Sequence, residues 1–258
     1  MSEKFSNLKT NPSNDIVTSL TDGDEPIREP ESGWLPEPDQ DRSLESTIIE
    51  FAGFSSANGT SDGIEGQKNR ADAFHDFESK ACQLGVLFDG FQPDLEGGRE
   101  HDLIFDNVSG TVLKFTKPSQ AAYVVRFDSG HPKIASASPL EYLERQSLHN
   151  RILADDIRFV GVGGDTNNRR IITRQQHIKG RAASWEQILR LMVEELGFKK
   201  LRHNFGIGYE DSYGFIRGDV AIFDMRPPNV IMTESGIVIP IDSIPVQLTD
   251  STRQMFNN

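Results

Sequence analysis

The sequence predicts an α+β fold behind an acidic, disordered N-terminal tail. Three observations lead there. Apolar strand-like runs come in pairs joined by Gly, Asn or Asp turns, which is the pattern of antiparallel hairpins. Only three segments carry a helical apolar period, and they are interspersed among the strands rather than alternating with each one. The charge is also unevenly placed: residues 1–70 hold 14 Asp/Glu and 6 Lys/Arg, a net of −8, out of −12 for all 258 residues.

That first quarter is rich in Ser, Asn, Pro and Gly, as in Asp22-Gly23-Asp24-Glu25-Pro26. Such a composition buries too little apolar surface to offset the entropy of ordering the chain. Residues 1–69 therefore read as tail and linker. Within them Leu44–Phe51 has weak helical or strand character and could dock on the body, while the Gly/Ser/Asn cluster from Ser55 to Gly66 reads as the linker.

Ordered structure is expected from about Arg70. Ala71, Phe74, Phe77, Ala81 and Leu84 recur at helical steps, and Val86-Leu87-Phe88 follows as a strand. After the loop Glu96-Gly97-Gly98-Arg99, His101–Phe105 and Thr111–Phe115 form a hairpin around Asp106–Gly110. Ser138-Pro139-Leu140-Glu141 has an N-cap followed by Pro at the first helical position, opening a helix with Leu140, Leu143 and Leu148 on one side. Ile157–Val162 and Arg170–Arg174 read as paired strands. Ser184-Trp185-Glu186-Gln187 is a capping-box start for the strongest helix, which Gly197 ends. Phe215-Ile216, Val220–Phe223, and the hairpin Val230–Met232 with Val238–Ile241 complete the strands.

Several functions are disfavoured. An acidic balance does not suit a nucleic-acid surface, which relies on Lys and Arg. No run of 18 apolar residues is present, and the N-terminus lacks the apolar stretch of a secretory signal. A single cysteine, Cys82, excludes an internal disulfide, and the six histidines show no metal-ligand spacing. A cytoplasmic location is the expectation.

One stretch carries chemistry. Phe223-Asp224-Met225-Arg226-Pro227-Pro228-Asn229 is followed by Pro240-Ile241-Asp242, so an Asp, an Asn and a second Asp stand at ends of apolar runs. This is the spacing at which protein kinases place a catalytic base and two magnesium ligands. Magnesium takes hard oxygen donors, and an Asn carbonyl with an Asp carboxylate supplies them. As plain turn residues around Pro-Pro, Asp224 and Asn229 would need no function at all. Lys114 puts one charge inside the apolar strand Val112–Phe115, so it needs an anionic partner. Lys117 is its lesser competitor. Glu141 and Glu144, on the helix that follows, are the candidate partners, with Glu141 preferred.

With these residues in hand, the chain resembles the protein-kinase-like domain of phage and mobile-element polyvalent proteins. The likeness runs from about Gly97 to Val246, through Val112–Thr116, Glu141–Arg145, Leu148–Asn150, Gln175–Gly180, Phe223–Asn229 and Pro240–Asp242. It implies a reduced kinase-like fold, with a small mostly-β N-lobe over about 70–174 and a truncated C-lobe over about 175–258. It implies ATP and Mg²⁺ as cofactors and transfer of the γ-phosphate to a hydroxyl on an unknown protein or small-molecule acceptor. Lys114 then matches the ATP lysine, Glu141 its partner and Asp224 the catalytic base. Asn229 and Asp242 match the metal ligands, Gly97 and Gly98 the phosphate loop, and Gln176 with His177 the adenine-binding hinge.

The sequence departs from that pattern at Ile222-Phe223, where His-Arg is usual, and at Ser243-Ile244, where Phe-Gly is usual. Only 16 residues follow Asp242, leaving no room for the usual activation segment. A pseudokinase, a small-molecule kinase of the aminoglycoside type, and an interaction protein are the rival readings.

Overall fold

Lys114 sits on a strand and Asp242 in the loop between two short strands of the other half, and the fold is best followed by how these parts meet. The computed structural model describes residues 38–52, 64–90, 98–128 and 131–256. The tail over 1–37, the core of the linker at 53–63, and Gly97 lie outside the described residues.

The segment assigned to the tail contributes to the body. Strand β1 (Arg42–Ser43) pairs antiparallel with a central strand, and helix α1 (Leu44–Ala52) buries Leu44 and Phe51. The boundary at residue 69 is therefore corrected: residues 38–52 belong to the folded unit. Five apolar positions in nine residues were enough to form a docking face, although the surrounding composition is polar. Helix α2 (Ile64–Gln83) packs Phe74 and Phe77 beside Phe51, with the Phe51 and Phe77 rings 4.2 Å apart. It delivers strand β2 (Leu87–Asp89).

The expected hairpin is β3 (His101–Asp106) and β4 (Thr111–Thr116). Its turn is fixed by Asp106, whose Oδ1 accepts from the N–H groups of Val108 and Ser109 at 3.0 and 3.2 Å. A second hairpin, β5 (Tyr123–Asp128) and β6 (His131–Ser136), comes before helix α3 (Pro139–Leu153). Strands β7 (Arg158–Gly164) and β8 (Arg170–Gln176) follow, completing a sheet ordered β1-β7-β8-β4-β3 with β2 parallel to β7. Helices α1, α2 and α3 cover one face around Tyr142, Leu143 and Phe159. The other face gathers Ile104, Leu113, Phe115, Val160 and Ile172.

The second half is built on smaller sheets. Strand β9 (Arg181–Ala182) leads to helix α4 (Trp185–Leu189), which runs on as a π-helical turn over Arg190–Glu195 and ends at Gly197, φ +71°. Strands β10 (Lys199–Lys200), β11 (Tyr213–Arg217) and β12 (Val220–Met225) join β15 (Ile244–Gln247) in an antiparallel four-stranded sheet. Strands β13 (Val230–Met232) and β14 (Val238–Pro240) pair with β9, and a short helix α5 (Asp250–Gln254) follows. Val125 of β5 packs with Leu201, Phe223 and Ile244, so the β5–β6 hairpin ties the halves together. The result is a mixed α/β fold of several, mainly antiparallel, sheets and few helices.

Candidate functional site

Asp224 owes its position to a defect in β12. Tyr213 pairs with Met225 and Phe215 with Ile222, so β12 holds one more residue than β11 across this stretch. Such a bulge bends the strand and re-aims a side chain. Asp224 takes up the bend with φ +58°, a left-handed conformation that Asp tolerates better than most residues. Its two carboxylate oxygens then face different neighbours. Oδ1 accepts from the Tyr209 N–H at 3.1 Å, and Oδ2 accepts from Asn229 Nδ2 at 3.0 Å. Burial pushes the Asp224 carboxyl up to about 6, helped by the charge of Asp242 and opposed by these hydrogen bonds and by Arg226.

Asn229 is fixed by the Pro-Pro turn. Arg226 is extended, as a residue before proline should be, and the Asn229 N–H donates to the Arg226 carbonyl at 2.9 Å to close the turn. The side-chain amide nitrogen also donates to the Asp224 carbonyl, at 2.8 Å. Its amide oxygen is thus the end turned away from Asp224. The Asn229 carbonyl accepts from the N–H groups of Ile241 and Asp242 at 2.9 and 3.4 Å, which brings the Asp242 loop alongside.

Lys114 reaches the same place from β4. Its ammonium donates to the Ile241 carbonyl at 2.9 Å, one residue before Asp242. Burial pushes the Asp242 carboxyl up, but the Lys114 ammonium, together with Arg145, outweighs it and holds the group below the ordinary carboxylate value. Lys117 is spent elsewhere, in a close pair with Asp102, which also holds Arg170. Lys114, Asp224, Asn229 and Asp242 are therefore brought together where the six-stranded and four-stranded sheets meet.

Other expected residues are placed differently. Glu141 does not pair with Lys114. It is the third residue of the α3 capping box: its Oε2 accepts from the Ser138 N–H at 2.8 Å and from Arg126 at 2.9 Å. The cap that starts the helix fixes the glutamate at its N-terminus, and Glu144 is exposed. Helix α3 instead turns Arg145 inward, where it forms a two-pronged ion pair with Glu100 at 3.0 and 2.7 Å. Glu100, just before β3, lies close enough to Lys114 and Asp242 to feel both charges.

Gly98 is exposed with open space around it. Gln176 donates through its side chain to the Gly110 carbonyl at 2.8 Å, and the His177 N–H donates to that carbonyl at 3.0 Å. The His177 N–H is thus engaged by the β3–β4 turn.

Oxygen atoms of Glu100 and Asp242 and a ring nitrogen of His101 lie within 4.8 Å of one another. Two of the three are committed already. Arg145 holds Glu100, and His101 Nε2 is 3.0 Å from the Tyr142 hydroxyl. Burial lowers the His101 pKa to about 3, so the ring is neutral. The hard-oxygen pair of Asp242 and Asn229 is the better magnesium set.

Three contributors escaped the sequence reading. Gly208 passes so close that a β-carbon there would lie 2.3 Å from Asp224 Oδ1. Tyr209 supplies the N–H that fixes the same oxygen. His149 of α3 lies 2.9 Å from the Ser243 hydroxyl and 3.1 Å from Asp155, linking the helix to the residue after Asp242. The Gly206-x-Gly208 spacing was the available signal for the first two.

Residues 91–249 match the model of a family described as serine/threonine/tyrosine kinase found in polyvalent proteins. No curated protein and no solved structure matches the chain.

Proposed function

The chain belongs to the family of serine/threonine/tyrosine kinases found in polyvalent proteins, and from that premise we propose an ATP- and Mg²⁺-dependent phosphotransferase acting on a hydroxyl acceptor. One observation carries the reading. Four residues from two strands, a turn and a loop meet through hydrogen bonds: Lys114 to the Asp242 loop, that loop to Asn229, and Asn229 to Asp224. Phosphoryl transfer needs these parts and little covalent work from the protein.

In this reading the β-rich part up to Gln176 is a kinase-like N-lobe, and the part from His177 onward is a reduced C-lobe. Lys114 would hold the triphosphate, its ammonium giving up the Ile241 carbonyl for a phosphate oxygen. Asn229 and Asp242 would hold Mg²⁺, which supplies charge neutralisation on the phosphates when bound. Asp224 accepts the proton of the acceptor hydroxyl, and its raised pKa suits a group that must take one up. Gly98 leaves space for the phosphates. With the His177 N–H engaged, adenine contacts fall to the backbone of Ile178–Gly180. Among the described residues no helix is long and apolar enough to cross a membrane.

The pseudokinase reading has its own support. The Lys114 ammonium already has a protein partner, and the neighbouring Glu100 is held by Arg145. Calorimetric titration with ATP separates the readings when combined with turnover. We expect Mg²⁺-dependent binding that Lys114→Met and Asp242→Asn each weaken by at least about tenfold. Binding without any phosphate release or transfer selects the pseudokinase. Absence of binding to the wild-type protein refutes both.

A further inference from the structure

The two oxygens of Asp224 divide its surroundings. The Oδ2 side holds Asn229 and, through its backbone, Asp242. The Oδ1 side holds Tyr209 and two guanidinium groups. Arg226 lies over the Tyr209 ring, 3.6 Å from its centre, and Arg99 lies over the same ring at 5.0 Å. Arg226 comes from the turn after Asp224. Arg99 comes from the segment that enters β3 on the other half of the fold, and the ring joins them.

This arrangement has an unmet demand. Arg226 Nε is buried with no hydrogen-bond partner. Its approach to Asp224 Oδ1, 3.7 Å, is an ion-pair distance too long for a hydrogen bond. That oxygen already accepts from Tyr209. Leaving a buried donor unmade is costly, and two like charges beside one ring add repulsion. An incoming anion satisfies both arginines, which the Tyr209 ring already gathers on one site. The rest of the chain is acidic, so an anion has a reason to settle here and not on the general surface.

We propose that Arg99, Tyr209 and Arg226 form an anion-reading mouth on the acceptor side of Asp224, selecting hydroxyl acceptors flanked by carboxylate or phosphate groups. The inference rests on the phosphotransferase reading for the word acceptor, but the anion site itself does not require transfer. A peptide serine among glutamates and a phosphorylated polyol share the required chemistry.

The test uses the full chain and a labelled hexapeptide with one serine among glutamates, its lysine counterpart, and glucose 6-phosphate as the small competitor. Fluorescence anisotropy reads binding, and γ-phosphate incorporation reads transfer. The acidic peptide is expected to bind at least about tenfold more tightly than the basic one, with the difference shrinking at high salt. Arg99→Glu, at an exposed position, should reverse the order, which a merely structural residue would not do. Displacement by glucose 6-phosphate at low concentration points to a small acceptor, and displacement only at high concentration to a peptide; either supports the anion site. Equal binding of the two peptides overturns the proposal, as does an unchanged preference in Arg99→Glu. Transfer without charge preference sinks this inference alone. Charge-selective binding without transfer sinks the phosphotransferase reading alone.

Discussion

Gly208→Ala puts the placement of Asp224 under direct strain. The added methyl would stand 2.3 Å from Asp224 Oδ1 and 2.7 Å from both its Cβ and Cγ. That is about 1 Å inside ordinary contact. Asp224 cannot yield easily, because its carboxylate is held by Tyr209 and Asn229 and its backbone sits in the β12 bulge. Gly208 is itself at φ +80°, so alanine adds about 1–2 kcal/mol of left-handed strain. A displacement near 1 Å at a reacting group costs about 100-fold in rate. We therefore expect transfer from ATP to fall by about 100-fold, stability to fall by about 1–2 kcal/mol in urea denaturation, and ATP affinity to stay within about threefold. The assay pairs calorimetric ATP binding with radiolabelled γ-phosphate transfer on the same preparation. Wild-type transfer rates in a folded Gly208→Ala protein would refute the claim that this carboxylate's position matters.

Two further predictions concern charge. Asp224 titrates near 6 in the fold against 3.8 for an ordinary Asp, so its contribution to stability is full below 3.8 and is lost as pH rises through about 6. About two units at 1.36 kcal/mol each, reduced for partial water access, give a decline of roughly 2 kcal/mol. Urea denaturation of Asp224→Asn at pH 4 and pH 7 should show this decline missing, and equal pH slopes in both proteins would contradict the assignment. The Asp41 carboxylate is buried and pairs with Arg174 at 2.5 Å, while Asp106 holds the same guanidinium at 3.3 Å, so Asp41→Ala removes the nearer of these two carboxylates and should cost about 2 kcal/mol. Proteolysis within residues 38–52 should accelerate with it; an unchanged cleavage rate would mean that the docked segment does not depend on this pair.

Local chemistry was legible, and long-range pairing was not. Asp106 and Gly110 announce the β3–β4 turn, and Ser138 with Pro139 announces α3, because caps and turns are decided within a few residues. The same locality misled the choice of Glu141: its role as the third residue of the capping box is written in Ser138-x-x-Glu141, and that role removes it from Lys114. The Arg145–Glu100 pair joins residues 45 positions apart, and no period or spacing signals it. Leu44 and Phe51 sit in polar sequence, so composition concealed a helix whose burial depends on meeting Phe77 and Phe159. Asp224, Asn229 and Asp242 could be read because their separation is short and two prolines stiffen the turn. The bulge that orients Asp224 is a property of β11 and β12 together, hidden from either strand alone.

The central claim is that Asp224 serves transfer and not nucleotide binding. Its most direct test is γ-phosphate transfer by wild type and Asp224→Asn at saturating Mg²⁺–ATP, with ATP affinity measured alongside. The account predicts turnover by the wild type, and a loss of about 100- to 10,000-fold in the variant with affinity nearly unchanged. Equal turnover by both proteins, or none by the wild type, would contradict it.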